Sequence, residues 1–541
     1  MFIEPVLRPQ GWYKSITHFW MMFWLLVVIV CVCLSFMLFK TVNFFVSFNI
    51  LTSAGYYWLL KLDYDYVNCM ILVMLLVCFC YVWNYTGHYF MGEIVGTELN
   101  KIILLFVCVM ARLVSTGDFL TTLVFWEYLG VVSFFLILFY CSYLSLRSSI
   151  ITLVSSRLGD VALFLIISVW GFLFDNLLLR FICICLIIFT KRARFPLIRW
   201  LLEAMRAPTP VRSLVHSSTL VAAGVWFSMR YDMVMFCAYY RFYVRIILLI
   251  TIIITGVCCF YFLDLKKIVA LSTCNKISWC VFYLLFGDLS LSLFQLVSHG
   301  VSKCMLFMLV GDVMSGSRGS QARNNVYPSV FYKNWNIFRL FCVIIGLSGA
   351  PYIGVFFTKH FLLSTFLKIY RIRLTVTVFI CVFLSYFYSF RLCKILLKIK
   401  ARATIGVEFF FKTSLMVYFW LFIKWILSYY LDETNYFSFL YRAGLILFQL
   451  FSIVTAILFY KSILLRKWSS SLFGCDNLVE LCYERYYLCV GATSVFFSRW
   501  DNISISKFYN IGSASLHSWR GVLLNIIMIS VFWLFMCLVI V

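Results

Sequence analysis

Long apolar runs separated by short polar stretches make up almost the whole chain. The runs at 19–39 and 522–541 hold no ionisable group other than cysteine, and each is long enough to cross a hydrocarbon layer about 30 Å thick. The hydropathy pattern predicts about fifteen spanning segments: 18–39, 66–84, 101–115, 119–141, 148–172, 178–206, 209–230, 242–262, 268–287, 289–313, 336–357, 361–390, 411–431, 438–465 and 519–541. Most connections are short, so consecutive helices should pack as neighbours. Two stretches are long and polar: 315–336, rich in Gly, Ser and Asn, and 467–519. The second mixes Asp476, Glu480, Glu484 and Arg485 with Leu478, Leu481, Tyr486, Leu488 and Val490. It is too polar to span and apolar enough to lie along a membrane or a bundle, although an ordinary extramembrane linker would read the same way.

Two of the segments are interrupted. In the sixth, Pro196 follows Lys191-Arg192-Ala193-Arg194-Phe195, and Ala207-Pro208-Thr209-Pro210 opens the next. In the eleventh, Gly346, Gly349, Pro351 and Gly354 precede Thr358-Lys359-His360. Proline removes a backbone donor and breaks the helical ladder. Such backbone survives at membrane depth only where protein or water satisfies it. Each break adjoins a lysine, and each falls about midway through a group of helices. The expected fold class is therefore all-α: a polytopic membrane bundle with two broken helices, an inverted internal repeat and a C-terminal lateral helix. The organisation follows as N-terminal spans with a connecting loop over 1–100, a core over 101–400, flanking spans over 401–470, the lateral region over 471–518 and a terminal anchor over 519–541.

Composition supports a lipid solvent. Hydrophobic residues make up 64% of the 541 positions, and the mean hydropathy is +0.99. The net charge of +24 would suggest nucleic acid in a soluble protein, but the cations cluster between apolar runs, as at Lys191-Arg192-Ala193-Arg194 and Arg371-Ile372-Arg373. Helix-flanking cations at lipid headgroups account for that placement, and no soluble basic domain is left to bind nucleic acid. Positive loops occur on both sides, so they do not set the orientation. The 22 cysteines lie mostly inside apolar runs without a CxxC pair, which argues against zinc or iron–sulfur ligation. Neither a Gly-rich dinucleotide loop after a strand nor a haem-like histidine pair is present, so no cofactor is expected. Heavy use of Phe (58), Tyr (33) and Cys resembles organellar codon bias. The N-terminal MFIEPVLRPQGWYK lacks the pattern of a signal peptide or presequence, which suggests synthesis in the compartment whose membrane receives the chain.

Against this apolar background the buried charges stand out. Glu127 sits mid-run, where a carboxylate costs several kcal/mol, and it is retained for function or for a specific partner. Arg157 and Asp160 share a helix face three residues apart and either neutralise each other or modulate Glu127. Lys191, at the first break, is either a lysine that exchanges a proton or one that snorkels to the interface with Arg192 and Arg194. His216 lies among the hydroxyls of Ser213, Ser217, Ser218 and Thr219, suiting a relay or a satisfied core histidine. His299 and Lys303, four apart with Ser298 and Ser302 alongside, favour a hydrated polar stripe. Lys359 lies on the second broken helix. Asp264 with Lys266 and Lys267 reads as a solvated helix boundary. Taken together, they are suited to passing protons between sites bridged by water.

The stretch Glu203-Ala204-Met205-Arg206-Ala207-Pro208-Thr209-Pro210-Val211-Arg212-Ser213-Leu214-Val215-His216-Ser217-Ser218-Thr219 resembles a hallmark of the antiporter-like membrane subunits of respiratory complex I, the NADH:ubiquinone oxidoreductase. Further matches follow in the family's order: Phe125-Trp126-Glu127-Tyr128, Ser156-Arg157-Leu158-Gly159-Asp160, Asp264-Leu265-Lys266-Lys267, Ser298-His299-Gly300-Val301-Ser302-Lys303 and Phe356-Phe357-Thr358-Lys359-His360. The resemblance covers about residues 85–365. It implies that Glu127 and Lys191 form the acid–base pair of a first half-channel, with Arg157, Asp160 and Asp264 as modulating groups. His216, His299 and Lys303 would continue a central relay, and Lys359 would be the exit-side lysine. It further implies a translocase subunit of the mitochondrial inner membrane that performs no redox chemistry itself. Such a subunit would contact other membrane-arm subunits through the lateral helix, and lipids, without touching NADH. Departures are Arg206 and Ala207 where the family has Glu and Gly, Gln295 for a relay histidine, His360 for an Asp, and one N-terminal helix fewer. A subunit of a multi-subunit cation/proton antiporter, sharing these motifs without electron transfer, is the alternative reading.

Overall fold

A computed structural model of the chain describes residues 44–53, 56–90, 94–168, 177–191, 197–231, 241–262, 264–315, 334–349, 355–369, 372–397, 439–460 and 475–510, with single positions at 194, 417, 420, 421, 529 and 530. The expected span 18–39, the spans 411–431 and 519–541 apart from those single positions, the loop 316–333, and Pro196, Pro351 and Gly354 lie outside these residues. The chain divides into two compact units, 1–473 and 474–541.

The first unit opens with a feature the hydropathy pattern hid. An antiparallel hairpin pairs β1 (Phe44–Ser53) with β2 (Tyr56–Tyr64), its register shifting between Asn49 and Leu51. The expectation of an all-α chain is corrected here. Both strands are rich in aromatic and aliphatic residues, and in β2 Leu60, Leu62 and Tyr64 alternate with Lys61 and Asp63, a two-residue period that an average over a long window erases. The hairpin is tied to the helices by ion pairs from Asp63 and Asp65 to Arg230. Asn68 reinforces the tie, donating to the Asp63 carbonyl at 2.7 Å and accepting from Trp226 Nε1 at 2.7 Å.

Helices follow: α1 (Tyr66–Tyr89), α2 (Ile94–Ser115), α3 (Phe119–Leu138), α4 (Tyr143–Ser168) and α5 (Leu177–Lys191). The trace resumes as the short α6 (Arg199–Glu203), tightens to a 3₁₀ turn over Ala204–Arg206, and restarts as α7 (Thr209–Leu214). A π-helical turn, Val215–Thr219, joins α7 to α8 (Leu220–Arg230). Next come α9 (Arg241–Tyr261), α10 (Leu265–Leu285), α11 (Leu289–Ser315), α12 (Asn334–Ser348), α13 (Val355–Ile369), α14 (Ile372–Leu397) and α15 (Phe439–Tyr460). The span expected at 361–390 thus falls on two described helices, α13 and α14. Among the described residues seven helices are long and apolar enough to cross a membrane. This is a multi-pass membrane protein.

Most consecutive helices are neighbours, as short connections favour, and α10 and α11 form the centre, their apolar windows wholly buried. A helix buried on every side has no polar face to lose, and these two carry little amphipathic bias. Small residues allow the close approaches that replace hydrophobic drive within lipid. Gly159 of α4 packs on α5 so tightly that a Cβ there would lie 3.2 Å from Thr190 Cβ. The second unit contains α16 (Cys475–Asn510), a 36-residue helix that fills the polar stretch of the sequence.

The packing at Gly159 is testable. Gly159→Val should destabilise the detergent-solubilised protein by about 1–3 kcal/mol through overpacking. Gly444→Ala, on α15 with nothing within 4 Å, should leave the thermal midpoint unchanged or raised. Equal midpoints for Gly159→Val and the parent would refute a tight α4–α5 contact.

Candidate proton-transfer site

Two polar clusters run through the bundle. The first joins α3, α4 and α5. Glu127 of α3 is ion-paired with Arg157 of α4. One turn along, Asp160 lies 3.8 Å from Arg157 and 3.2 Å from Lys191, the last residue of α5. Arg157 therefore stands between two carboxylates, and the cluster passes from the half-exposed Glu127 and Arg157 to Asp160 and Lys191, whose side chains are 3% and 0% exposed. Lys191 also lies 5.2 Å from the centre of the Trp126 ring. A Cβ on Gly130 would stand 4.0 Å from its amine, so α3 leaves room for the lysine.

The arrangement differs from the expected pairing. Lys191 meets Asp160, and Glu127 meets Arg157. The i,i+3 spacing of Arg157 and Asp160 put both groups on one face of α4, and that face turns toward α3 and α5 together. Lys191 is also no headgroup cation, and neither is Arg194, which is 0% exposed with its charge 5.6 Å from the Phe189 ring. Both side chains are buried within the bundle.

His216 lies in the π-helical turn, fully buried, its ring 6.3 Å from that of Trp200 and close to the Ala204 backbone. Trp200 Nε1 in turn donates to the Thr190 carbonyl at 2.9 Å, tying this turn to the residue before Lys191. The wider turn inserts one residue, and such turns recur at functional sites. Ser217, Ser218 and Thr219 donate to backbone carbonyls one turn back.

The second cluster lies between α10, α11, α13 and α14. His299 and Lys303 share a buried face of α11. Lys303 donates to the Ser272 hydroxyl and, at 3.3 Å, to the Val269 carbonyl. Ser302 is capped by Trp420 Nε1 at 2.9 Å. On α13, Lys359 donates to the Ser348 carbonyl and the Ser385 hydroxyl, each at 2.7 Å, with Tyr386 beneath it at 3.6 Å. Gln295 accepts from Thr358 at 3.1 Å, linking α11 to the residue before Lys359. His360 stacks on Phe356 at 5.6 Å. Asp264, by contrast, pairs with Lys267 at 3.4 Å and stays partly exposed, as a boundary would, while Lys266 turns inward.

Several buried groups went unnoticed in the sequence. Lys276 of α10 is 2% exposed and within hydrogen-bonding reach of Lys359. Arg391 of α14 donates to the carbonyls of Cys259 and Phe262 at 2.6 and 3.0 Å, closing the end of α9. His88 approaches Asp312 at 3.6 Å. The available signal was a basic residue within an apolar run, which Cys274-Asn275-Lys276-Ile277-Ser278 carries. Among the described residues no three His, Cys, Asp or Glu side chains are placed to hold a metal ion.

Known proteins share the segment that carries these clusters. Residues 116–385 match the model of the NADH:quinone oxidoreductase/Mrp antiporter transmembrane family. Similar proteins include NADH-ubiquinone oxidoreductase chain 5 of Caenorhabditis elegans, 32% identical over 66% of this chain and 63% of that protein. The chain 5 proteins of Ascaris suum and Locusta migratoria are 32% and 29% identical, over 67% and 56% of this chain. The chain spans 63%, 65% and 55% of these three relatives' length. A chain in the solved structure of the Mrp complex from Dietzia sp. DQ12-45-1b shares the fold, with a TM-score of 0.68 at 17% identity over 91% of this chain and 58% of that one. From Thr116 through Ser385, the stretch that carries Glu127, Arg157, Asp160, Lys191, His216, His299, Lys303 and Lys359, the chain is similar to the NADH:quinone oxidoreductase/Mrp antiporter transmembrane family.

Proposed function

We propose that this chain is a proton-translocating membrane-arm subunit of a mitochondrial NADH:ubiquinone oxidoreductase. The observation that carries the reading is the buried contact of Lys191 with Asp160, reached from Glu127 through Arg157 inside an apolar bundle. A charge pair in lipid is costly as a mere brace and apt as a switch. Arg157 bonds Glu127 and stands close to Asp160. Swinging toward Asp160, it competes with Lys191 for that carboxylate. A change of one unit charge at 4 Å is worth about 4 kcal/mol at an effective dielectric of 20, roughly three decades in an equilibrium constant. Lys191 then passes its proton inward toward His216, and His299, Lys303 and Lys359 carry it on. The first half-channel ends near Lys191, at the C-terminus of α5, and the second near Lys359 on α13. We read these as the two broken helices of an inverted repeat within the core at 101–400. We assign α16 to the lateral helix that contacts neighbouring membrane-arm subunits, with lipids around the bundle and no direct contact with NADH. Asp264 acts at the boundary as a modulating charge.

The structural likeness to an Mrp complex favours a second reading, a subunit of a cation/proton antiporter. Purification of the native complex separates the two: co-migration with NADH oxidation is expected, and recovery with sodium/proton exchange but no NADH oxidation would reverse the assignment. Within an assembled complex in proteoliposomes, Lys191→Ala, Asp160→Asn and Glu127→Gln should each lower protons pumped per NADH oxidised. Asp160→Asn should act as strongly as Lys191→Ala, because it removes the lysine's counter-charge. An unchanged ratio for any one variant would remove that residue from the route.

A further inference from the structure

We propose that Lys276 is a further relay residue, holding a proton between Lys303 and Lys359 as the neutral partner in a lysine–lysine hydrogen bond. The inference rests on the proton-translocating reading above. Lys276 projects from the centre of α10, buried in the middle of the bundle. Among the described residues its amine has no hydroxyl, carbonyl or carboxylate partner, yet the amine of Lys359 is within hydrogen-bonding reach. Two ammonium groups are donors only and repel each other in so apolar a setting. One of the two must therefore be an amine, whose lone pair accepts.

The surroundings decide which. Lys359 donates to the Ser348 carbonyl and the Ser385 hydroxyl and rests on the Tyr386 ring, an environment built for a cation. Ser385 spends its own proton on the Val382 carbonyl, so its oxygen can only accept from the lysine. The third donor of Lys359 is directed at Lys276, which among the described residues has no other hydrogen-bond partner. Besides Lys359, the titratable groups that act on Lys276 are Lys303 and the Cys280 thiol, the latter bonded to the Lys276 carbonyl at 3.4 Å.

The opposite neighbour is Lys303. Its amine is held by Ser272, one turn before Lys276 on the same face of α10, an axial offset of about 6 Å. Lys303 and Lys276 also feel each other's charge. A flexible four-carbon stem closes such an offset. In the proposed step an N–H bond breaks on Lys303 and one forms on Lys276, while Lys359 releases its own proton toward the exit. Lys276 then gives its proton to the emptied amine of Lys359. The pair holds one proton before and after, and one has crossed. Gln295 has no titratable atom and is bonded to Thr358, so a route from α11 to α13 through Lys276 bypasses it.

The test uses the assembled complex in proteoliposomes, reading protons pumped per NADH oxidised for Lys276→Gln, Lys276→His and Lys359→Gln. Lys276→Gln should lose the same fraction of pumping as Lys359→Gln, while Lys276→His, which keeps a titratable nitrogen, should recover most of it. A loss in Lys359→Gln with none in Lys276→Gln would overturn the proposal and leave the function standing. No loss in either would remove the translocation reading and the proposal with it. Equal losses in Lys276→Gln and Lys276→His would assign Lys276 a merely structural part. Should the variants fail to assemble, nitrogen-15 resonances of side-chain-labelled lysine in the unaltered complex decide: a neutral buried amine is expected, and ammonium signals alone would refute the assignment.

Discussion

Everything in this bundle is arranged around the cost of holding a charge away from water. An unpaired ion in an apolar interior is worth several kcal/mol of destabilisation, and the chain meets that cost differently at each site. Lys191 is given a carboxylate, Asp160. Arg391 is given the carbonyls at the end of α9, which no intrahelical donor satisfies. Lys359 is given a carbonyl, a hydroxyl and a ring face. These solutions place the helices as much as the helices place them, because a charge that loses its partner cannot be left where it is.

The two clusters differ in kind. The first alternates acid and base, so its net charge is small and its proton preference follows the position of one arginine. The second is made of bases alone, with no ion pair to Lys276, Lys303 or Lys359 among the described residues. Hydroxyls and carbonyls can orient an ammonium but cannot neutralise it, which limits how many protons the second cluster holds at once. On the proposed reading, the first cluster works by exchanging partners and the second by exchanging occupancy.

The sequence made much of this legible, and the reasons for the rest are physical. The long helices α1, α3, α4, α10 and α11 announce themselves by apolar length, and Glu127, Lys191, His216, His299, Lys303 and Lys359 by charge inside such runs. The pairing was not legible, because spacing along α4 says that Arg157 and Asp160 share a face without saying which neighbour each meets. The hairpin was missed because its period of two is invisible to a twenty-residue average. Lys276 stands out less in the sequence because Lys266 and Lys267 open the same helix, and spacing alone does not separate a third lysine ten residues on from these boundary cations. Arg194 was misplaced because a run of cations looks the same in sequence whether the chain turns outward or back on itself.

The π-helical turn at Val215–Thr219 sets the phase of everything after it. Its additional residue rotates α8 by about 100° relative to an uninterrupted helix, and that rotation presents Trp226 to Asn68 and Arg230 to Asp63 and Asp65. Loss of a single codon there would leave composition and hydropathy untouched, yet it would swing both side chains off their partners and release the hairpin. The length of this turn is thus as much a structural requirement as any side chain it positions.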